Sequence, residues 1–177
     1  MSNGGSLLPI IAILPFLGAL IPGIMIRAGR TACASFTAMP TILALVMLGV
    51  LVPDVMRGEM IQWQVAWLPQ LGLSASFFLD GLGLLFAGMI LGMGLLITLY
   101  ARFYLSGEDP MGQFYTYLLL FQGAMLGIVI SDNILLLLIF WELTSLTSFL
   151  LIGYWKHLPE GRQGARMALA AVSYTHL

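Results

Sequence analysis

Between Asp132 and Lys156 lie 23 residues that carry one charge, Glu142. A run this long and this apolar predicts a membrane-spanning helix, because about 20 residues rising ~1.5 Å each cross the hydrocarbon core of a bilayer. Ser131, Asp132 and Asn133 are helix-capping residue types at one end, and Trp155, Lys156 and His157 make an aromatic and basic edge at the other. Glu142 lies ten residues past Asp132, so roughly 15 Å into the helix and close to the bilayer centre. A carboxylate there costs about 2.5–3.5 kcal/mol on insertion scales. Leu or Ala would serve a purely structural helix better, so Glu142 calls for a reason.

The same pattern recurs upstream. Uncharged or nearly uncharged runs cover residues 2–26, 31–53, 81–101 and 110–131. The first lacks the basic n-region of a signal peptide and is followed directly by more hydrophobic spans, so it reads as a helix, kinked by Pro9, Pro15 and Pro22. With 60% hydrophobic and 8% charged residues, and a mean hydropathy of +0.99, the chain lies outside the range of ordinary soluble domains. The predicted fold class is all-α: one polytopic membrane helix bundle over 1–177, with five transmembrane helices and the start of a sixth. After Arg166 eleven residues remain, too few for a further crossing, and the chain is expected to be part of a longer subunit. Residues 61–78 differ in character. Gln62, Trp63, Gln64 and Val65 alternate polar and apolar, and Pro69 and Gly72 punctuate the middle, which predicts short extended segments joined by a turn, as in a β-hairpin, with Trp63 and Trp67 at the membrane interface.

Several function classes fall away. A net charge of −1 suggests no nucleic-acid partner. The single cysteine, Cys33, excludes an intramolecular disulfide, and His157 and His176 have no companions at metal-ligand spacing, so no cofactor or metal is expected. Six of the seven basic residues, Arg27, Arg30, Arg102, Lys156, Arg162 and Arg166, follow spans one, three and five; only Arg57 falls on the other side. By the positive-inside rule the N-terminus is outside and the C-terminal end cytoplasmic.

Two readings of Glu142 stand side by side: a neutral carboxylic acid hydrogen-bonded inside the bundle, or a proton-binding group that exchanges charge with a basic partner on another helix. Gln122 precedes Asp132 by ten residues, as Glu142 follows it, so in a tight antiparallel hairpin both share one depth and can hydrogen-bond. Ser145 lies about 60° from Glu142 around the helix, and Thr144, Thr147 and Ser148 extend its polar side. Asp80 and Asp132 are expected as helix N-caps at the interface. Lys156 and His157 are expected as topology anchors, with a proton-relay role as the alternative. The pairs Gly88-x-x-x-Gly92 and Gly123-x-x-x-Gly127 are expected to let helices approach closely.

The motifs Asp80-Gly-Leu-Gly-Leu-Leu-Phe, Tyr100-Ala-Arg-Phe-Tyr-Leu, Ser131-Asp-Asn-Ile-Leu and Phe140-Trp-Glu-Leu-Thr-Ser resemble the N-terminal part of an antiporter-like membrane protein. That superfamily holds the proton-pumping membrane subunits of respiratory complex I and the large A-type subunits of Mrp Na⁺/H⁺ antiporters. The likeness runs over about residues 7–172 and is most specific over 80–166. At Gly161-Arg-Gln-Gly-Ala-Arg-Met-Ala-Leu it is more similar to the Mrp A-type chain than to complex I chain 5, and residues 173–177 depart from the pattern. The resemblance implies a transporter subunit rather than an enzyme, placed in the bacterial inner membrane. Other membrane subunits, the lipid bilayer, H⁺ and Na⁺ or K⁺ would be its partners. It implies that Glu142 pairs with a lysine two helices further on. The alternatives are a proton-pumping subunit of a complex I-like quinone oxidoreductase and a passive structural subunit.

Overall fold

A computed structural model describes residues 4–68, 73–106 and 108–154, with Gly164, Met167 and Ala170 beyond them. Five segments are long and apolar enough to cross a membrane: Leu7–Ala28, Arg30–Met56, Gly81–Tyr104, Met111–Ile130 and Ile134–Ile152. Alongside them stands one two-stranded antiparallel sheet. Of the start of a sixth span only Met167 and Ala170 are described, both helical. Residues 173–177, Pro69, Gly72 and the Trp67 side chain lie outside the described residues.

The first span is helical from Leu7 to Ala28 and interrupted at Ala19 and Leu20, in keeping with the kink its prolines predict. It comprises α1 (Leu7–Gly18), α2 (Ile21–Met25) and a 3-10 turn (Ile26–Ala28). Pro15 is accommodated inside α1, while Pro22 falls in the first turn of α2, where a missing N–H leaves no hydrogen bond unmade. The break sits where α1 meets the next helix: a Cβ on Gly18 would lie 2.6 Å from Pro40 Cγ. The chain then turns through Gly29, whose φ of +107° suits only glycine well.

Helix α3 (Arg30–Met56) is longer than the 31–53 span predicted, and continues through Pro40 and Pro53. Its last turn takes in Asp54, which pairs with Arg57 just past the helix end. Strands β1 (Ile61–Leu68) and β2 (Leu73–Leu79) pair with Ile61 opposite Leu79 and Trp63 opposite Phe77, with an irregularity between Ala66 and Leu68. The polar–apolar alternation explains the hairpin, since Ile61 is buried while Gln62 and Gln64 face outward. Trp63 stacks on Phe77 with ring centroids 5.9 Å apart. Three further helices follow among the described residues: α4 (Gly81–Tyr104), α5 (Met111–Ile130) and α6 (Ile134–Ile152).

Helix α5 is the hub, packed against α1, α2, α4 and α6. The core divides by depth. On the hairpin side Leu8, Leu48, Leu51, Leu91, Leu126 and Ile130 form one apolar cluster. On the far side Cys33, Ala101, Leu105, Met111, Tyr115 and Tyr154 form another. Between them lies a buried polar layer of Thr37, Thr41, Thr98 and Gln122. Arg30 closes the far end by donating to the carbonyls of Leu105 and Ser106 just past the last turn of α4, and Arg102 donates to Thr31 Oγ1 at 2.7 Å.

Candidate functional site

Glu142 sits at the middle of α6, so its depth along a bilayer-length helix is that read from the sequence. Its side chain lies on the exposed face, beside Trp141 and Leu138. The helix has no one-sided hydrophobic pattern and buries only Leu136 and Thr147 among the described residues. Its hydroxyls turn back on their own backbone: Thr144 and Ser145 donate to the Trp141 carbonyl at 2.6 and 3.3 Å, and Thr147 to the Leu143 carbonyl at 2.7 Å. Back-bonding of this kind lets a polar hydroxyl stay in hydrocarbon without an outside donor or acceptor.

Gln122 shares that depth on α5 but not that environment. It is 2% exposed. Its Oε1 accepts from Thr41 Oγ1 at 3.1 Å, and its Nε2 points to the carbonyls of Ile90 and Leu91 at 3.4 and 3.5 Å. The hydrogen bonds of Gln122 thus run to α3 and α4, and not to Glu142 as equal depth had suggested. Depth follows from counting residues, whereas azimuth is set by packing. Gly94 makes the room: a Cβ there would stand 2.5 Å from Gln122 Nε2. An apolar groove of about 260 Å³ between α4 and α5, lined in part by Met89, Met93, Phe121 and Met125, runs beside this amide.

The residues at the hairpin end separate. Asp80 is the N-cap of α4, accepting from the Gly83 N–H at 2.7 Å. Asp132 is not a cap. Asn133 takes that position on α6, accepting from the Leu135 N–H at 2.8 Å, while exposed Asp132 gives its own N–H to the Ser76 carbonyl at 3.0 Å. The chain reaches α6 in extended form, pairing Ser131 with Phe77 of β2, so the cap falls one residue later. Lys156 and His157 lie outside the described residues. Nearby at that end, Tyr154 packs edge-on against Phe114. Burial, reinforced by the Asp109 carboxylate and opposed by Arg30, pushes its phenol up to about 12.

The glycine pairs also separate. Gly123 and Gly127 seat aromatic rings, Phe16 of α1 and Phe140 of α6, where a side chain would collide with them. Gly88 barely touches Leu48, and Gly92 has nothing within 4 Å, so that pair makes no close helix contact among the described residues. Thr41, Thr98 and Tyr115 escape sequence reasoning. Their signal is spacing: Cys33, Thr37 and Thr41 recur every fourth residue on α3, one face of a helix, and Tyr115 donates across to the Thr98 carbonyl at 2.9 Å.

Residues 67–115 match the family described as NADH-ubiquinone oxidoreductase (complex I), chain 5 N-terminus. A probable K⁺/H⁺ antiporter A/B subunit of Rhizobium meliloti is 42% identical over 163 residues, 92% of this chain and 16% of that protein. The A1 subunit of a Na⁺/H⁺ antiporter of Staphylococcus aureus is 42% identical over 165 residues, 93% of this chain and 21% of that protein. Among solved structures, a chain of the Mrp complex from Dietzia sp. DQ12-45-1b superposes with a TM-score of 0.73 at 31% identity, covering 94% of this chain and 18% of that one. The chain therefore spans about a fifth of the length of the relatives it matches. Over those residues the chain is similar to the named A-type subunits of K⁺/H⁺ and Na⁺/H⁺ antiporters and to a chain of an Mrp complex, and over residues 67–115 to the N-terminus of complex I chain 5.

Proposed function

We propose that this chain works within a membrane subunit that couples H⁺ movement to the efflux of Na⁺ or K⁺, with Glu142 as a proton-binding group. One observation carries the reading: a carboxylate halfway along a bilayer-length helix, on the exposed face of α6. Facing hydrocarbon, such a group costs about 2.5–3.5 kcal/mol, so that face is met by protein or water, and a basic side chain there would let the proton come and go. The related proteins named for K⁺/H⁺ and Na⁺/H⁺ exchange support both cations, and the likeness to a chain of an Mrp complex supports other membrane subunits as partners. In the assembled complex in membrane vesicles, Glu142→Gln keeps shape and hydrogen bonding but cannot ionise. Cation-dependent proton flux should stop while assembly continues. Wild-type flux would reduce Glu142 to a structural group and the chain to a scaffold.

We place the protein in the bacterial inner membrane as a multi-pass chain, N-terminus outside. Support comes from Arg27, Arg30 and Arg102 at the end of the bundle opposite Asp80 and the hairpin. In a Cys33→Ser background, Gln64→Cys should react with an impermeant thiol reagent from outside intact cells and Gly161→Cys should not. The family match over residues 67–115 favours a second reading, a proton-pumping subunit of a complex I-like quinone oxidoreductase. Proton flux driven by an imposed Na⁺ or K⁺ gradient, with no redox substrate present, separates the two.

A further inference from the structure

Packing against α5 and β2 decides which way Glu142 points. The apolar residues of α6 are spread around the helix, so hydrophobic patterning selects no azimuth for it. Its buried stripe is Leu136 and Thr147, and between them Phe140 packs half-buried against the core cluster on the hairpin side. Phe140 is two residues from Glu142, hence about 200° away around the helix. With Phe140 held inward, Glu142 is held outward.

The seat for that ring is specific. Phe140 fills the notch left by Gly127 on α5, where any Cβ would overlap it. Its centroid lies 6.3 Å from that of Phe16 on α1 and 6.4 Å from that of Phe77 on β2. The same strand holds the start of α6 through Ser76 to Asp132 and through Asn133 Nδ2, which donates to Ser74 Oγ at 3.3 Å. Helix α6 is thus pinned at its end by β2 and one third of the way along by a ring wedged between α1, α5 and β2.

We propose that Phe140, seated in the Gly127 notch between Phe16 and Phe77, is a positioning residue that sets the rotation of α6 and so the direction of the Glu142 carboxylate. This rests on the proton-coupling reading of Glu142. Among the described residues, α5 and β2, which pack against α6, carry no Asp, Glu, Lys, Arg or His, and neither does α1. Phe140 therefore acts on Glu142 through geometry, by choosing which neighbours the carboxylate meets.

The test compares cation-dependent proton flux, per assembled complex and as a function of pH, in membrane vesicles. The variants are Glu142→Gln, Gly127→Ala, Phe140→Leu and the double Gly127→Ala/Phe140→Leu. Misplacing a reacting group by about 1 Å can cost on the order of 100-fold, so Gly127→Ala should lose about 10- to 100-fold in flux, with the pH of half-maximal flux displaced. The double variant should recover most of that loss, because Leu vacates the space the new methyl needs. A ring that only filled space would change the amount of complex and leave the pH profile of each complex alone. If Gly127→Ala blocks assembly, Phe140→Leu decides, since it adds no bulk: a displaced profile supports positioning and an unchanged one overturns it. Wild-type flux and profile in both single variants, with Glu142→Gln silent, would overturn the positioning role and leave the coupling role standing. Wild-type flux in Glu142→Gln would instead remove the reading on which this inference rests.

Discussion

Helices α5 and α6 are joined by three residues and run side by side, yet their surroundings are opposite. Half of the most apolar stretch of α5 is buried within the protein, against 6% of that of α6, although α6 is the more hydrophobic of the two. In water this order would be perverse. In a bilayer it is not, because lipid tails are as apolar as leucine and hydropathy offers no preference between lipid and protein neighbours. Shape makes the choice. Helix α5 carries Gly112, Gly123, Ala124 and Gly127, each buried, so other groups come close to it. A Cβ at Gly112 would lie 3.1 Å from the Pro22 carbonyl oxygen, and one at Gly123 would lie 2.8 Å from the Phe16 ring. Helix α6 offers large side chains and a carboxylate, and keeps most of them on its surface.

The contrast can be broken most forcefully by exchanging carboxylate and amide at one depth. Gln122→Glu would bury a carboxylate among α3, α4 and α5, with an expected cost of about 2.5–3.5 kcal/mol. The amount of complex recovered from membranes should fall steeply. Glu142→Gln, on the exposed face, should leave that amount unchanged. Normal assembly of Gln122→Glu would mean that water reaches the polar layer between the two core clusters.

A smaller effect separates glycines of like spacing. Gly123→Val should destabilise the bundle by about 1–3 kcal/mol through overpacking against Phe16. Gly92→Val, which meets nothing within 4 Å, should stay within about 0.5 kcal/mol. Thermal unfolding in detergent reads both, and equal shifts would deny that small residues are what lets α5 be buried.

The smallest effects concern hydroxyls. Tyr115→Phe on α5 removes the hydrogen bond to the Thr98 carbonyl and should cost about 0.6–1.7 kcal/mol. Ser145→Ala on α6 removes only a bond back to its own helix and should be near neutral, within about 0.5 kcal/mol in the same melt. A larger loss at Ser145 than at Tyr115 would reverse the comparison.

What a reader of the sequence sees and misses follows from the same physics. Five spans, the hairpin and the place of Glu142 halfway along its helix are legible because each rests on one chain segment: its length, its period and the absence of charge. The cap of α6 is misread by one residue, because Asp132 is drawn into the extended pairing with β2. The kink in the first span is legible in its prolines, but not where α1 ends, because there Gly18 meets Pro40, far along the chain. Pairing of Gln122 with Glu142 fails because equal depth says nothing of facing direction.

The sequence by itself determined that this chain enters a bilayer, how many of its described segments are long and apolar enough to cross it, and that a carboxylate stands halfway along one of them. Desolvation alone enforces those points, since an apolar run of about 20 residues has no good place in water. Tertiary structure decided which helix is central, which polar groups meet and where Glu142 faces. In a medium that treats all apolar faces alike, those choices are left to steric fit and to hydrogen bonds between segments, such as a ring in the Gly127 notch and an amide between Thr41 and Gly94.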